Sequence, residues 1–153
     1  MEIVNKYIDI IYTNIDIIYT MEFKYKIILF LALVTISFLL DKHLNTCNND
    51  GSDIGINSMH FAHHITSNYL FHGSFIFGAH LIHLLLIAFI AVIWVVYEGR
   101  CTISDIYNKA CKFPDKTRHK DITYYLLENI LFINVYGFIG LIILYDIYMI
   151  LKK

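Results

Sequence analysis

The sequence predicts an all-α, polytopic integral membrane protein with four, alternatively three, transmembrane helices. Of its 153 residues, 58% are apolar and 16% are charged, whereas about a quarter are charged in a typical soluble domain. The tract from Ile54 to Tyr97 contains no Asp, Glu, Lys or Arg. With 12 basic and 13 acidic residues there is no basic excess either. The composition therefore argues against a soluble enzyme, a disordered chain and a nucleic-acid binder.

Residues 1–22 contain a short internal repeat. The six letters IDIIYT occupy positions 8–13 and return at positions 15–20. On a helix, an apolar stripe forms from Val4, Ile8, Ile11, Ile15 and Ile18. This pattern predicts an amphipathic segment that lies on a membrane surface or pairs with a partner. The alternative is a duplication without such a role, because the polar face has few of the Lys and Arg residues that surface helices favour.

The first span is predicted over residues 25–42. Its uncharged run from Ile27 to Leu40 corresponds to roughly 21 Å of helix, which is shorter than the ~30 Å hydrocarbon core. The flanking Lys26 and Lys42 can extend the span, because lysine stems lie along apolar surface while their charges reach water. The polar stretch 41–58 is predicted to be a loop.

The uncharged tract that follows is long enough for two spans. It corresponds to roughly 66 Å of helix, about twice a bilayer core. Gly78 is the natural turn, because glycine accepts backbone angles that other residues resist. We therefore predict spans over residues 59–77 and 79–97.

A polar segment over residues 98–121 precedes the last span. Thr102–Asp105 resembles a capping box that opens a short helix, which Pro114 would end after Cys111. The last span is predicted over residues 126–150. Glu128 and Asp146 share one face of it five turns apart, which would place one carboxylate at each water interface.

The distribution of positive charge favours three spans instead. If residues 59–69 lie flat on the surface, the lysines and arginines divide unequally between the two sides, with the N-terminus inside. The length of the uncharged tract favours four spans. We give the length more weight, because it concerns membrane insertion itself.

Eight histidines are the main chemical feature of this apolar chain. The pattern His60-x-x-His63-His64 matches one of the boxes of membrane di-iron hydroxylases and desaturases. These three residues are therefore candidate metal ligands, although only His80-x-x-His83 could be a second box.

A haem site is a further alternative. If Gly78 is a turn, His72 and His83 lie at similar depth on adjacent helices, with His80 nearer the surface. Two imidazoles on adjacent helices can hold haem b, and three can hold zinc or copper. The simplest interpretation is that the histidines are neutral, hydrogen bond across helices and hold no cofactor.

The three cysteines are too few for a disulfide-rich secreted module. Cys101 and Cys111 could form a disulfide, or either could pair with Cys47, and any such bond needs an oxidising face. Cys101 and Cys111 could instead bind zinc together with His119. Free thiols are the third alternative.

Several motifs occur together between residues 60 and 112. They are His63-His64-x-x-Ser67-x-Tyr69-Leu70-x-x-Gly73, His80-x-x-His83-Leu84-Leu85-Leu86, Trp94, and Gly99-Arg100-Cys101-x-x-Ser104-x-x-x-Asn108-Lys109-x-Cys111. The arrangement resembles small uncharacterised multi-span membrane proteins of large nucleocytoplasmic DNA viruses. In that group a His-His helix precedes a Leu-rich helix ending in Trp and a Cys…Asn-x-x-Cys segment. The resemblance implies a viral membrane protein and carries no activity with it.

Together these observations predict a non-enzymatic structural or scaffolding protein, encoded by a virus and located in a virion membrane or a host intracellular membrane. Its expected partners are the lipid bilayer and other helices or a second copy, which Gly137 and Gly140 would allow to approach closely. Nucleic acid is not an expected partner. The alternative is a haem- or metal-binding subunit of a membrane electron-transfer complex in an organelle.

Overall fold

A computed structural model describes residues 17–44, 47, 54–97, 101–113 and 134–152. Within these ranges every regular element is a helix, which confirms the all-α prediction. The elements are α1 (Phe23–Leu44), α2 (Ile54–Asn68), a π-helical segment (Tyr69–Gly73), α3 (Ser74–Phe77), α4 (His80–Val96), α5 (Thr102–Ala110) and α6 (Val135–Leu151). Residues 1–16 of the predicted amphipathic segment 1–22, with most of its repeat, and residues 126–133 of the predicted last span lie outside the described residues.

Helix α1 packs antiparallel to the helical run formed by α2, the π-helical segment and α3. Phe30 and Val34 on its inner face form a small core with Ile76. The ring of Phe30 meets those of Tyr69 and Phe77, with centroids 6.3 and 5.4 Å apart. Side chains spaced three and four residues apart therefore form the face of α1 that contacts the rest of the bundle.

The predicted turn at Gly78 is present. Gly78 has a φ of +65° and its N–H donates to the carbonyl of Ser74 at 3.0 Å, which ends α3 with a left-handed cap. The chain then reverses into α4. The helix–turn–helix predicted from the uncharged tract therefore forms, with helices over 54–77 and 80–96.

Helices α4 and α6 pack antiparallel and form the larger core with the π-helical segment. Its buried members are Leu70, Phe71, Ile87, Val135, Ile139 and Ile142. Helix α6 begins at Val135 because the side chain of Asn134 accepts a hydrogen bond from the N–H of Gly137 at 3.1 Å. The shared core holds α6 against α4 and the π-helical segment.

The predicted short helix is α5, and it packs on α2. Cys101 occupies its N-cap position and Ala110 is its last residue. The predicted loop 41–58 is shorter than expected, because α1 continues to Leu44 and α2 begins at Ile54. Asp41 is therefore helical, and its carboxylate is buried inside the bundle instead of exposed to water.

Among the described residues, α1 is long and apolar enough to cross a membrane. Helices α4 and α6 are apolar but have 17 residues each. The number of spans therefore stays a prediction.

Candidate functional site

Asp41, His60 and His64 form a buried group between α1 and α2, called the Asp41 cluster below. His60 and His64 are one helical turn apart, so both rings lie on the same face of α2. Oδ2 of Asp41 lies 2.7 Å from Nε2 of His60 and 2.9 Å from Nε2 of His64, and the two nitrogens are 3.2 Å apart. Each residue is at most 1% exposed. Three potential ligand atoms thus meet at one buried point.

Hydrogen bonds around Ser37 indicate which nitrogen of His64 carries the proton. The hydroxyl of Ser37 donates to the carbonyl of Val34 at 3.1 Å and accepts from Nδ2 of Asn68 at 2.8 Å. Its remaining lone pair faces Nδ1 of His64 at 3.0 Å. We therefore assign the hydrogen of the neutral ring to Nδ1. Nε2 of the neutral His64 ring then directs a lone pair at the carboxylate of Asp41, an arrangement that a proton or a metal ion between the two atoms stabilises.

A metal ion fits this arrangement. Among the residues that the structure describes, the Asp41 cluster is the group of His, Cys, Asp and Glu side chains whose ligand atoms converge, all within 4.8 Å of one another. Zinc binds imidazole nitrogen and carboxylate oxygen at about 2.0–2.2 Å, which at a tetrahedral angle separates the ligand atoms by about 3.3 Å. The observed separations of 2.7–3.2 Å therefore need to widen by up to about 0.6 Å.

Aromatic rings enclose the Asp41 cluster. The centroid of Phe38 lies 5.2 Å from that of His60 and 5.9 Å from that of His64. Tyr107 on α5 stacks on His60, with centroids 4.0 Å apart and 24° between the planes. Burial and the charge of Asp41 raise the pKa of Tyr107, so its phenol stays neutral. These walls limit water and strengthen electrostatic interactions inside the cluster.

Asp146, His80, His83 and Ser74 form a second buried group, called the Asp146 cluster below, close to the Gly78 turn. Oδ1 of Asp146 lies 2.9 Å from Nδ1 of His80, and Oδ2 lies 2.6 Å from Nδ1 of His83. Ser74 donates its hydroxyl hydrogen to Oδ1. Each of the four residues is at most 4% exposed. The carboxylate therefore bridges two rings, one at each oxygen.

His83 has both ring nitrogens in hydrogen bonds. Its Nε2 faces the carbonyl oxygens of Tyr69 and Leu70 at 3.0 and 3.1 Å. Carbonyls only accept, so this nitrogen carries a hydrogen, and a second proton lies between Nδ1 and the carboxylate of Asp146. The proton that His83 and Asp146 share therefore completes the hydrogen bonds of this cluster without an added ion. Both carbonyls belong to the π-helical segment, a feature frequent at functional sites.

Tyr19 extends the Asp146 cluster toward the N-terminal part of the chain. Its hydroxyl lies 3.5 Å from Nε2 of His80 and forms a hydrogen bond with the hydroxyl of Tyr145. The ammonium of Lys26 donates to the carbonyl of Tyr19 at 3.1 Å. These bonds connect residues 17–20 to α1, α4 and α6.

The haem expectation gains no support from this geometry. A haem iron held between His72 and His83, with His80 as the third candidate, would need a free ring nitrogen from each ligand, and both nitrogens of His83 are already engaged in hydrogen bonds. His72 is half-buried in the π-helical segment and lies outside the Asp146 cluster.

His63, the third predicted metal ligand, lies outside the Asp41 cluster that contains His60 and His64. Its Nδ1 lies 3.5 Å from the thiol of Cys101. Burial alone would raise the pKa of Cys101, but the hydrogen bond and charge of His63, together with hydrogen bonds from Ser104, lower it to about 7. Cys101 is therefore substantially ionised near neutral pH.

The disulfide joins Cys47 to Cys111, with Cα atoms 4.9 Å apart. Of the predicted alternatives, the bond between Cys47 and Cys111 is the one that forms; Cys101 and Cys111 are not bonded to each other, and Cys101 is a free thiol. The reason is α5: ten residues of helix place Cys101 and Cys111 about 15 Å apart, beyond the roughly 7 Å that a disulfide spans. Zinc binding by these cysteines is also excluded in this state, because Cys111 is oxidised; His119 lies outside the described residues.

The two carboxylates are the residues that sequence reasoning missed. Asp146 is fully buried, so its predicted position at a water interface is wrong; Glu128 lies outside the described residues. A signal for both was present in the spacing. Each acid continues a buried stripe spaced four, three and four residues apart: Phe30, Val34, Ser37, Asp41 and Val135, Ile139, Ile142, Asp146.

Comparison with protein-family models, curated proteins and solved structures gives no match for this chain. The resemblance to viral membrane proteins therefore stays a prediction.

Proposed function

We propose that this protein is a helical membrane protein that binds a divalent transition-metal ion at the Asp41 cluster. The membrane location is supported by the side chains that face outward. Exposed apolar residues cover one face of three helices: Ile28, Leu31, Ile36 and Leu39 on α1, Leu81, Leu85, Phe89 and Val92 on α4, and Leu141, Leu144, Ile147 and Leu151 on α6. The carboxylates and imidazoles of both clusters are buried inside. Apolar outer faces around a polar interior are expected where lipid is the solvent.

The disulfide supports four spans over three. Cys47 follows α1 and Cys111 follows α5, so their bond requires the ends of α1 and α4 to lie on the same side of the membrane. Two complete crossings between them, by the run 54–77 and by α4, give that arrangement. The run 54–77 is about 36 Å long, enough for a ~30 Å hydrocarbon core. A single crossing would separate the two cysteines.

The observation that carries the metal assignment is the convergence of two imidazole nitrogens on one carboxylate oxygen. Because Ser37 engages Nδ1 of His64, that ring in its neutral form has no hydrogen to give Asp41. One metal ion would bind all the lone pairs at once. The bond from Ser37 also matches the outer hydrogen bond that metal-bound histidines usually make.

The ligand set indicates the class of metal. Two imidazoles and one carboxylate leave at least one coordination position open, a set used for Zn²⁺ and for non-haem Fe²⁺. A site of this kind can hold the ion for structure or transport, or activate a bound water. The donor set does not suit Ca²⁺ or Mg²⁺, which take mainly oxygen ligands.

The test is metal binding by the full chain in detergent. After equilibration with Zn²⁺ or Co²⁺ and removal of excess metal, we expect one ion per chain by elemental analysis. Replacing Asp41 by Asn should weaken Zn²⁺ binding by more than about 100-fold, beyond the usual effect of losing an outer contact. The matched control is His63→Gln, next to His64 but outside the cluster, which should keep full metal content.

Three outcomes would contradict the proposal. Equal Zn²⁺ affinity in the wild type and the Asp41→Asn variant would exclude the site. An imidazolium signal for His64 in nitrogen NMR, with no bound Zn²⁺, would show that a proton supplies the positive charge. A purified chain that stays monodisperse in buffer without detergent would overturn the membrane location.

A scaffolding role in a viral or host-derived membrane is the second candidate. It is supported by Gly140, where an added Cβ would meet nothing within 4 Å, whereas the one at Gly137 would meet only Asn134. An open glycine on an apolar helix allows a second helix to approach closely. Unchanged crosslinking to other chains after Gly140→Leu would exclude this role for α6.

A further inference from the structure

Helix α5 covers one side of the Asp41 cluster. Tyr107 stacks on His60 at 4.0 Å, and Phe113 packs beside Tyr107 with centroids 6.1 Å apart. Tyr107 is 4% exposed although it belongs to a short peripheral helix. The ring of Tyr107 therefore lies between His60 and the outside of the bundle.

One disulfide connects this cover to the helix that carries Asp41. Cys111 directly follows α5 and is fully buried, whereas Cys47 is half-buried. Cys47 lies six residues after Asp41, and Cys111 lies four residues after Tyr107. The disulfide thus joins the segment that follows Asp41 to the segment that follows Tyr107.

The position of α5 depends on its contacts with α2 and on the disulfide. A nine-residue helix is too short to be stable alone in water. Its N-terminal end touches α2 through Cys101 and His63, and its C-terminal end is held by the disulfide. Release of the disulfide would therefore loosen the end of α5 that carries Tyr107.

We propose that the Cys47–Cys111 bond is a redox latch that controls exchange of the metal ion at the Asp41 cluster. This inference rests on the proposed metal site. While the bond is intact, Tyr107 stays on His60 and the ion exchanges slowly. Reduction lets α5 move away and opens the cluster.

The reductant belongs to the class of dithiols. Its thiolate attacks Sγ of Cys47, the more exposed sulfur; the Cys47–Cys111 bond breaks, a mixed disulfide forms, and Cys111 leaves as a thiolate that takes up a proton. The second thiol of the reductant then displaces Cys47, which leaves as a thiol. Two electrons and two protons pass to the protein, and the dithiol becomes a disulfide.

The experiment measures transfer of Zn²⁺ from the loaded full chain, in detergent, to an excess of a chromogenic chelator. Transfer should become at least about 10-fold faster after reduction with tris(2-carboxyethyl)phosphine, because α5 is no longer tied to α1. The double variant Cys47→Ser/Cys111→Ser should transfer rapidly with or without reductant. The matched variant Cys101→Ser should respond to reductant as the wild type does.

The possible results are separable. Equal transfer rates before and after reduction would overturn the latch and leave the metal site intact. A chain that never retains Zn²⁺ would overturn the metal site itself. A second measurement does not depend on metal or on the double variant: amide hydrogen exchange of residues 102–110 should accelerate on reduction, and unchanged protection would overturn the latch.

Discussion

The Asp41 and Asp146 clusters are built from the same residue types and differ in how their hydrogen bonds are completed. In each, one carboxylate meets two histidines from a neighbouring antiparallel helix. In the Asp146 cluster the two rings bind different oxygens, and Ser74 adds a third donor. In the Asp41 cluster both rings approach the same oxygen.

In each cluster one histidine donates a hydrogen bond from the ring nitrogen that points away from the carboxylate. In His83 this nitrogen is Nε2, which donates to two carbonyls, while a proton is shared between Nδ1 and Asp146. In His64 this nitrogen is Nδ1, which donates to Ser37, because the hydroxyl hydrogen of Ser37 is already donated to the carbonyl of Val34. Nε2 of the neutral His64 ring therefore has a lone pair that faces Asp41. In the Asp146 cluster each ring thus has its own carboxylate oxygen, whereas in the Asp41 cluster two rings converge on one oxygen, the arrangement to which we assign a metal ion. Residue composition alone does not distinguish the two.

The largest expected effect is on folding, at the Asp146 cluster. Asp146→Leu leaves the N–H groups of His80 and His83 buried without their acceptor, so the free energy of unfolding should fall by about 3–5 kcal/mol. Added Zn²⁺ should not change this loss. The measurement is unfolding in mixed detergent micelles with increasing sodium dodecyl sulfate, followed by circular dichroism.

Asp41→Leu is the matched variant for that experiment. In metal-free protein it removes a carboxylate oxygen that faces the lone pair of His64, so it should cost less stability than Asp146→Leu. Equal losses in the two metal-free variants would mean that both clusters are self-sufficient ion pairs, and the comparison would fail.

The second effect is on metal affinity through Ser37. Ser37→Ala removes the acceptor of the Nδ1 hydrogen of His64, so Zn²⁺ should bind about 10- to 100-fold more weakly while one ion per chain is still bound at saturation. Competition with a chelator of known affinity measures the change. Thr35→Ala is the control, because that exposed hydroxyl on the same helix only bonds the carbonyl of Leu31. Unchanged affinity in Ser37→Ala would show that the tautomer of His64 is assigned wrongly.

The smallest effect concerns the border of the Asp41 cluster, where His63 contacts Cys101. Because the pKa of Cys101 is lowered to about 7, its alkylation by iodoacetamide should reach half of its maximal rate near that pH, since the reactive thiolate exists above the pKa. His63→Phe should move this midpoint upward. With Cys47 and Cys111 oxidised, labelling reports on Cys101. Protection of Cys101 by Zn²⁺ would show that the thiol belongs to the metal site.

The helices could be predicted from the sequence far better than the clusters. The uncharged tract and Gly78 determine two helices and a turn through local properties of the chain. Each cluster instead joins residues 19–23 or 63–66 positions apart, so only packing brings them together. The sequence places both acids in water because an isolated buried charge is costly, and only a partner brought by packing offsets that cost.

Two features of the sequence could have corrected these assignments. The stripe that ends in Asp41 and the one that ends in Asp146 have the same spacing, which places both acids on the inner face of their helices. The prediction of a helix between Cys101 and Cys111 was by itself sufficient to exclude a bond between them. Neither feature reveals which histidines the acids would meet.

The π-helical segment gives the bundle a sensitivity to chain length that ordinary helices lack. Such a segment acts as one residue inserted into a helix, and one residue corresponds to a rotation of about 100°. Deleting any residue between Tyr69 and Gly73 would restore regular spacing and turn Ser74 away from Asp146, while Asn68 would still face Ser37. Deletion of one residue from this segment would thus rotate α3 and the Asp146 cluster relative to α2 and the Asp41 cluster without altering any side chain in either cluster.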